Sequence, residues 1–411
     1  MTDPRTTLPE GFLWGASTAA HQTEGANHNS DWWELEHLAL EQGPGGHIEE
    51  PSGDACDSFH RWPEDMDLLA GFGFTDYRFS MEWARIEPAP GEISRAAIDH
   101  YRRMVEGAHQ RGLRPLVTLN HFTTPRWFAA RGSWYGEDAA DRFARFAEAA
   151  APVYADGVDH LCTINEPNMV AALLPVLAQA AAGTEAGGAT EQLATTGIPE
   201  PDPHLTEALT RAHRRAVEAV KSHVPHVRTG WSVSVQACQA LEGAEAAADA
   251  YSRPRQDVFL EAARDDDWLG VQTYTRIVVG PDGLLPVPDD AERTLTGWEF
   301  YPEALGEAVR RTAELAPGVP LVVTENGIAT GDDTRRVAYT SGALAGLADA
   351  MADGIDVRGY FHWTALDNYE WGSYRPTFGL IAVDRTTFAR TPKPSAGWLG
   401  AAGRDRRWPT A

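Results

Sequence analysis

Eight short apolar, β-branched runs alternate with longer stretches of helical periodicity, and this alternation narrows the fold more than any other feature of the chain. The runs cover 12–17, 76–83, 114–121, 160–166, 229–235, 268–274, 321–326 and 357–364. Between them lie amphipathic segments. In 95–111, Ile98, Tyr101, Met104, Val105 and Ala108 recur at helical spacing. In 139–154, Phe143, Phe146, Ala147, Ala150 and Val153 do the same, and 205–223 forms a third such segment. Near-continuous apolar runs read as strands buried on both faces, as in parallel sheets. A strand followed by a helix is a βα unit, and eight of them match a closed (β/α)₈ TIM barrel of the α/β class better than an open sheet. A doubly wound sheet would carry a Gly-rich phosphate turn after its first strand, and Trp14-Gly-Ala-Ser-Thr18 is not one.

The chain has 411 residues, and 43% are hydrophobic, enough for a large core. The pattern predicts a single barrel domain over 1–411, with irregular loops near 168–205 and 236–256. The Ala-, Gly- and Thr-rich stretch 177–197 reads as a spacer over the active face. The segment 240–249 is similar, and the tail after Trp398 reads as a loose terminus. Asp265-Asp-Asp267 reads as a solvated turn. A net charge of −24 argues against nucleic-acid and anionic-membrane partners. Cys56, Cys162 and Cys238 are odd in number and lack metal or disulfide spacing; Cys162, inside an apolar run, reads as a small core residue. The first ten residues lack an apolar leader, and no run approaches the length of a membrane span. The expected compartment is the cytoplasm. Nothing in the sequence specifies an oligomeric state.

Two of the apolar runs end in a glutamate followed by a breaker. Glu166 closes His160-Leu-Cys-Thr-Ile-Asn-Glu and precedes Pro167; Glu325 closes Pro320-Leu-Val-Val-Thr-Glu and precedes Asn326-Gly327. Both carboxylates therefore fall at the carboxyl ends of strands, the face on which barrel chemistry occurs. Two such groups meet the needs of glycosidic-bond hydrolysis by a general acid/base and a nucleophile. The other run ends carry residues a plain core would not hold: Gln22, Arg78, Asn120-His121, Asn165, Gln272, Tyr274, His362-Trp363 and Glu370-Trp371. A ring of amides, carboxylates, an arginine and tryptophans suits a polyhydroxylated ligand, with hydrogen bonds for hydroxyls and indole faces for C–H surfaces. His21, His121 and His362 lack ligand spacing on any one element, so no metal and no cofactor is expected.

Taken together, these runs resemble glycoside hydrolase family one, the β-glucosidase family. The resemblance spans 12–398. It is carried by Phe12-Leu-Trp-Gly-Ala-Ser-Thr-Ala-Ala-His-Gln-Thr-Glu-Gly25, Thr163-Ile-Asn-Glu-Pro167 and Thr324-Glu-Asn-Gly327. His362-Trp-Thr-Ala-Leu-Asp-Asn-Tyr-Glu-Trp371 and Thr377-Phe-Gly-Leu-Ile-Ala-Val-Asp384 complete it. The resemblance implies a single-domain barrel and a retaining exo-β-glycosidase acting on small-molecule β-glucosides, β-galactosides or β-fucosides through a covalent glycosyl-enzyme. Glu166 would be the general acid/base and Glu325 the nucleophile. Arg78 would hold Glu325 ionised, Tyr274 would hydrogen-bond it, and Asn165 would contact the sugar 2-hydroxyl. Gln22, His121, Glu370 and Trp371 would bind the 3-, 4- and 6-hydroxyl region, with Trp363 as the aromatic floor and Trp298 near the pocket mouth. An intact Glu370-Trp371 pair implies a non-phosphorylated sugar. Three stretches depart from the family pattern. Gln272 stands where an asparagine is usual, Phe122 where a tryptophan is usual, and the loop 168–205 has its own spelling. A transglycosylase with the same residues, or an inactive sugar-binding scaffold, is the alternative; loss of one glutamate would mark the scaffold, and both are present.

Overall fold

The computed structural model describes residues 6–41, 48–181 and 197–409. Eight parallel strands close into a barrel: β1 (Leu13–Ser17), β2 (Asp76–Ser80), β3 (Arg114–Asn120), β4 (His160–Asn165), β5 (Arg228–Ser234), β6 (Leu269–Gln272), β7 (Leu321–Asn326) and β8 (Val357–Trp363). Neighbours follow chain order, and β8 pairs with β1 to shut the ring, with Leu13 opposite Gly359 and Ser17 opposite Trp363. β1, β2, β4, β6 and β7 are buried along their whole length, which is why they read as continuous apolar runs. Leu13, Leu116, Cys162, Trp268, Val322 and Phe361 form one buried cluster contributed by strands around the ring, so Cys162 is a core residue as expected. A larger apolar core joins the outer faces of the strands to the surrounding helices.

The helices follow their apolar spacing. In Arg95–Gln110 all five apolar positions are buried, and Ser94 caps the start by accepting from the Ala97 amide at 3.2 Å. The segment 139–154 breaks into Ala139–Ala149 and Ala151–Tyr154, because Pro152 has no N–H to continue the ladder. Pro203–His223 starts where Asp202 accepts from Leu205 N at 3.0 Å.

Several expectations need correction. The second strand ends at Ser80, and Trp83 opens a short helix capped by the Glu82 carboxylate. The region 168–205 is not an irregular loop throughout: Pro167–Ala181 is helical. Pro175 inside it cannot donate to Ala171 O, and Asp202 N takes that carbonyl instead at 3.0 Å, tying the helix to the next one. Residues 182–196 lie outside the described residues, and 197–202 lead without helix or strand into the next helix. The region 236–256 is also ordered, as a strand Ala237–Ala240 and a helix Glu245–Ser252 that widens into the turn Arg253–Asp257. Ala237–Ala240 pairs with Arg276–Gly280, which folds back on Gly283–Leu285 to make a three-stranded sheet. The tail is not loose: Pro394–Asp405 is a helix, Trp14 Nε1 donates to Leu399 O at 3.0 Å, and Trp408 meets Trp14 and Phe12 edge-on. The aspartate run is a turn with Asp265 and Asp267 exposed, as expected, but Asp266 departs from that reading. The Asp266 side chain is 1% exposed and bound by His213 and Arg214, and Asp267 accepts from Lys221 at 2.6 Å and Thr229 N at 2.8 Å.

Candidate active site

The carboxyl ends of the strands converge on one pocket. Glu325, the fifth residue of β7, is buried and held at both oxygens. Arg78 on β2 donates to Oε1 at 2.6 Å, and the Tyr274 hydroxyl just after β6 donates to Oε2 at 2.6 Å. Arg78 also donates to Asn165 Oδ1 at 2.5 Å, and Gln272 Nε2 donates to the same oxygen at 2.8 Å. The longer amide at 272 thus keeps the network closed, answering the departure from the family pattern. With Oδ1 taken up, the Asn165 amide nitrogen faces His121 Nε2 at 3.4 Å, so Nε2 accepts. His121 is kept neutral by burial and by Arg78, which push its pKa well below the usual imidazole range. Its proton therefore resides on Nδ1, which has no partner among the described residues.

Glu166 leaves β4 with a left-handed φ of 45°, its backbone N donating to Ser232 O at 2.7 Å. That strained step turns the side chain off the strand direction. Burial, then the neighbouring charge of Glu325, raise its pKa to about 8. Burial also raises Glu325, while Arg78 and Tyr274 pull it back. The two carboxyls titrate as a pair. The one whose oxygens are held by a guanidinium and a phenol ionises first, and the proton stays on Glu166.

Around this pair lies a second group. Gln22 Nε2 donates to Tyr369 O at 2.8 Å, to Asn368 Oδ1 at 3.1 Å and to Glu370 Oε2 at 3.3 Å; Trp363 Nε1 donates to Glu370 Oε1 at 3.3 Å. Gln22 Oε1, buried, has no partner among the described residues. Trp371 lies parallel to His21, ring centres 5.7 Å apart, and parallel to His121 at 6.2 Å. Phe122 meets it edge-on at 5.0 Å. Trp298 packs on Tyr274 at 5.6 Å and on Phe378 at 6.4 Å. A buried donor or acceptor left unpaired costs about 1–3 kcal/mol unless a ligand meets it, so Gln22 Oε1 and His121 Nδ1 point to a polar ligand.

Ten of the eleven residues singled out in the sequence take part in one hydrogen-bonded and stacked constellation, and the eleventh, Glu166, is tied to it through the charge of Glu325. Sequence reasoning missed His21 as the platform behind Trp371, the packing of Phe378 on Trp298, and Ser234, whose hydroxyl opposes the rise in the Glu166 pKa. His21 is tied to Asn27 at 3.1 Å and His362 to Tyr360 at 3.4 Å.

A closed (β/α)₈ barrel carrying two coupled, buried carboxyls among amides and indoles defines a glycoside hydrolase. The chain belongs to Glycosyl hydrolase family 1, whose sequence model matches residues 4–263 and 287–405. It is 31% identical to the thermostable β-glucosidase B of Thermobispora bispora, over 95% of this chain and 89% of that protein. It is 30% identical to a bifunctional β-D-glucosidase/β-D-fucosidase of Bifidobacterium breve, over 95% of this chain and 97% of that one. Its backbone superposes on the crystal structure of β-glycosidase BGL167 with a TM-score of 0.87 at 44% identity, covering 98% of both chains. The β-glucosidase of Thermotoga maritima in complex with noeuromycin gives 0.85 at 25% identity, over 97% of this chain and 99% of that one.

Proposed function

We propose that this enzyme is a retaining exo-β-glycosidase that removes a terminal β-D-glucosyl residue, with β-fucosides and β-galactosides as further substrates. The observation that carries this reading is the division between the two carboxyls. Glu325 is clamped by Arg78 and Tyr274, and Glu166 is buried with its pKa raised to about 8. Glu325, ionised, attacks the anomeric carbon while Glu166 protonates the leaving oxygen. Glu166, now a carboxylate, takes a proton from water as the glycosyl ester of Glu325 is hydrolysed. Asn165, held by Arg78 and Gln272, has its amide available to the 2-hydroxyl. Gln22, His121, Glu370 and Trp371 bind the remaining hydroxyls, Trp363 lies under the ring, and Trp298 stands at the mouth. Glucosides are favoured by the names of the relatives, and the Bifidobacterium breve protein is the reason to include fucosides.

Three free cysteines suit a reducing compartment, and we place the enzyme in the cytoplasm. Among the described residues no helix is long and apolar enough to cross a membrane. The test is a panel of 4-nitrophenyl β-glucoside, β-galactoside and β-fucoside, with the first-formed anomer of the sugar followed by NMR. The β-anomer is expected first; an α-anomer first, or no cleavage of any member, would overturn the reading.

A further inference from the structure

We infer that the leaving-group side of this site is built for an uncharged, apolar aglycone of about one ring, and not for a second sugar. The inference rests on the glycosidase reading above and extends it to the other half of the substrate. Beside Glu166 and Tyr274 lies a cleft of about 150 Å³ whose apolar lining comes from Met169, Ile198, Leu284, Leu285, Val287 and Trp298. An apolar cavity of that volume is large enough to hold a benzene ring.

On the cleft wall Arg276, Glu299, the Thr275 hydroxyl and Gln236 Oε1 already have partners, while Thr273 Oγ1, buried there, has none among the described residues. Arg276 donates to both oxygens of Glu299, at 2.8 and 2.7 Å, and to Gln239 Oε1 at 2.9 Å, and its guanidinium lies over the Tyr301 ring. Thr275 Oγ1 donates to Glu299 O at 2.9 Å, and Gln236 Oε1 accepts from Tyr251 at 3.0 Å. A second sugar entering here would leave water behind and find these partners already committed, which a hydroxyl-rich ligand tolerates poorly. An apolar group has no such need. The ion pair is internally neutralised, so the wall offers no net charge to a charged aglycone.

Leu284 and Leu285 sit in the strand Gly283–Leu285, folded back on Arg276–Gly280. The Leu284 side chain reaches Gly197: a Cβ built there would lie 2.6 Å from Leu284 Cδ1. Leu285, 44% exposed, leaves apolar surface open at the lip.

The experiment compares kcat/KM for three substrates with one glycone and alcohol leaving groups, so that the chemistry at the scissile bond is similar. The glycone is the one the nitrophenyl panel ranks first. For glucose the three are methyl β-glucoside, benzyl β-glucoside and cellobiose. Benzyl β-glucoside should exceed each of the others by about tenfold or more, the range one or two apolar groups contribute in a fitted pocket. In Leu284→Asn and Ile198→Asn the benzyl-to-methyl ratio should fall several-fold, through KM on the benzyl substrate. Cellobiose equal to or better than benzyl β-glucoside would overturn the inference and leave the glycosidase reading standing. An unchanged ratio in both variants would overturn the assignment of the cleft. Failure to cleave any nitrophenyl glycoside would remove the reading on which the inference rests.

Discussion

Glu166 and Glu325 carry the same functional group in opposite settings, and the two should fail differently. Glu325→Ala removes the atom that bonds to the sugar, so hydrolysis of every substrate should fall by several orders of magnitude, roughly the 10⁴–10⁶ typical of lost nucleophiles. Added azide should restore turnover with inverted product. Glu166→Ala should still be glycosylated by substrates with good leaving groups and then stall, seen as a burst without steady turnover. The reverse pair of phenotypes would exchange the roles. Arg78→Met tests the electrostatics. Its guanidinium is 2.6 Å from Glu325 and opposes the upward push of burial. Without it the acidic limb of kcat/KM should move up by roughly 1–3 pH units, because the nucleophile must be ionised to act. An unmoved limb with a lowered Tm would reduce Arg78 to a brace of the barrel wall. These residues were legible in the sequence because an arginine, an amide or a carboxyl at the end of an apolar run is too costly to bury without a use. Their partners were not. That Gln272 bonds Asn165, 107 residues away, or that His21 backs Trp371, depends on the closure of the ring and on no local pattern.

At the scale of elements, the eight strands were readable because burial on both faces forces continuous apolar runs, and the structure moves their ends by only a few residues. What was not readable is how segments weak in apolar periodicity are held. Glu245–Ser252 is helical where an Ala- and Glu-rich spacer was expected, and helix Pro167–Ala181 continues through Pro175 because Asp202 N takes over the Ala171 carbonyl. Tertiary hydrogen bonds supply what the sequence pattern lacks. The turn after the nucleophile shows the same principle in a form that can be tested. Gly327 follows β7 where the β8 backbone crosses it: a Cβ there would lie 2.0 Å from Trp363 O and 3.1 Å from its carbonyl carbon. Backbone cannot yield as a side-chain tip can. Gly327→Ala should therefore push β7 and β8 apart, costing about 1–3 kcal/mol of stability. Because Glu325 and Trp363 ride on those strands, kcat/KM should fall by about tenfold or more, as a misplacement of about 1 Å would cause. A native Tm and a native rate would show that the crossing is looser than these distances require.

For the whole molecule, the buried carboxyls set how stability depends on pH. Burial is the first cause of the raised pKa at Glu24 (about 7), Asp31 (about 6) and Glu166 (about 8). In the unfolded chain each ionises near its ordinary value, so between that value and the raised one the folded state holds a proton the unfolded state has released. Stability then falls as pH rises through this window, the opposite of a carboxylate stabilised by an ion pair. Glu166 has the widest window, from its usual 4.5 to about 8, and its charge also opposes ionised Glu325. Glu166→Gln removes the titration and keeps the shape. The variant should match the wild type in Tm near pH 4.5, gain on it steadily through neutrality, and hold a constant advantage above about pH 8. That advantage should be a few kcal/mol at most, or a few degrees in a chain of this length. Glu314→Gln, at a side chain 70% exposed, is the control and should show no such trend. Melting curves of the three proteins from pH 4.5 to 9 decide the matter: a Glu166→Gln advantage independent of pH would mean that the carboxyl titrates as it does in water. The alkaline limb of the wild-type rate should fall over the interval in which the Tm gap levels off, since one proton on Glu166 governs both.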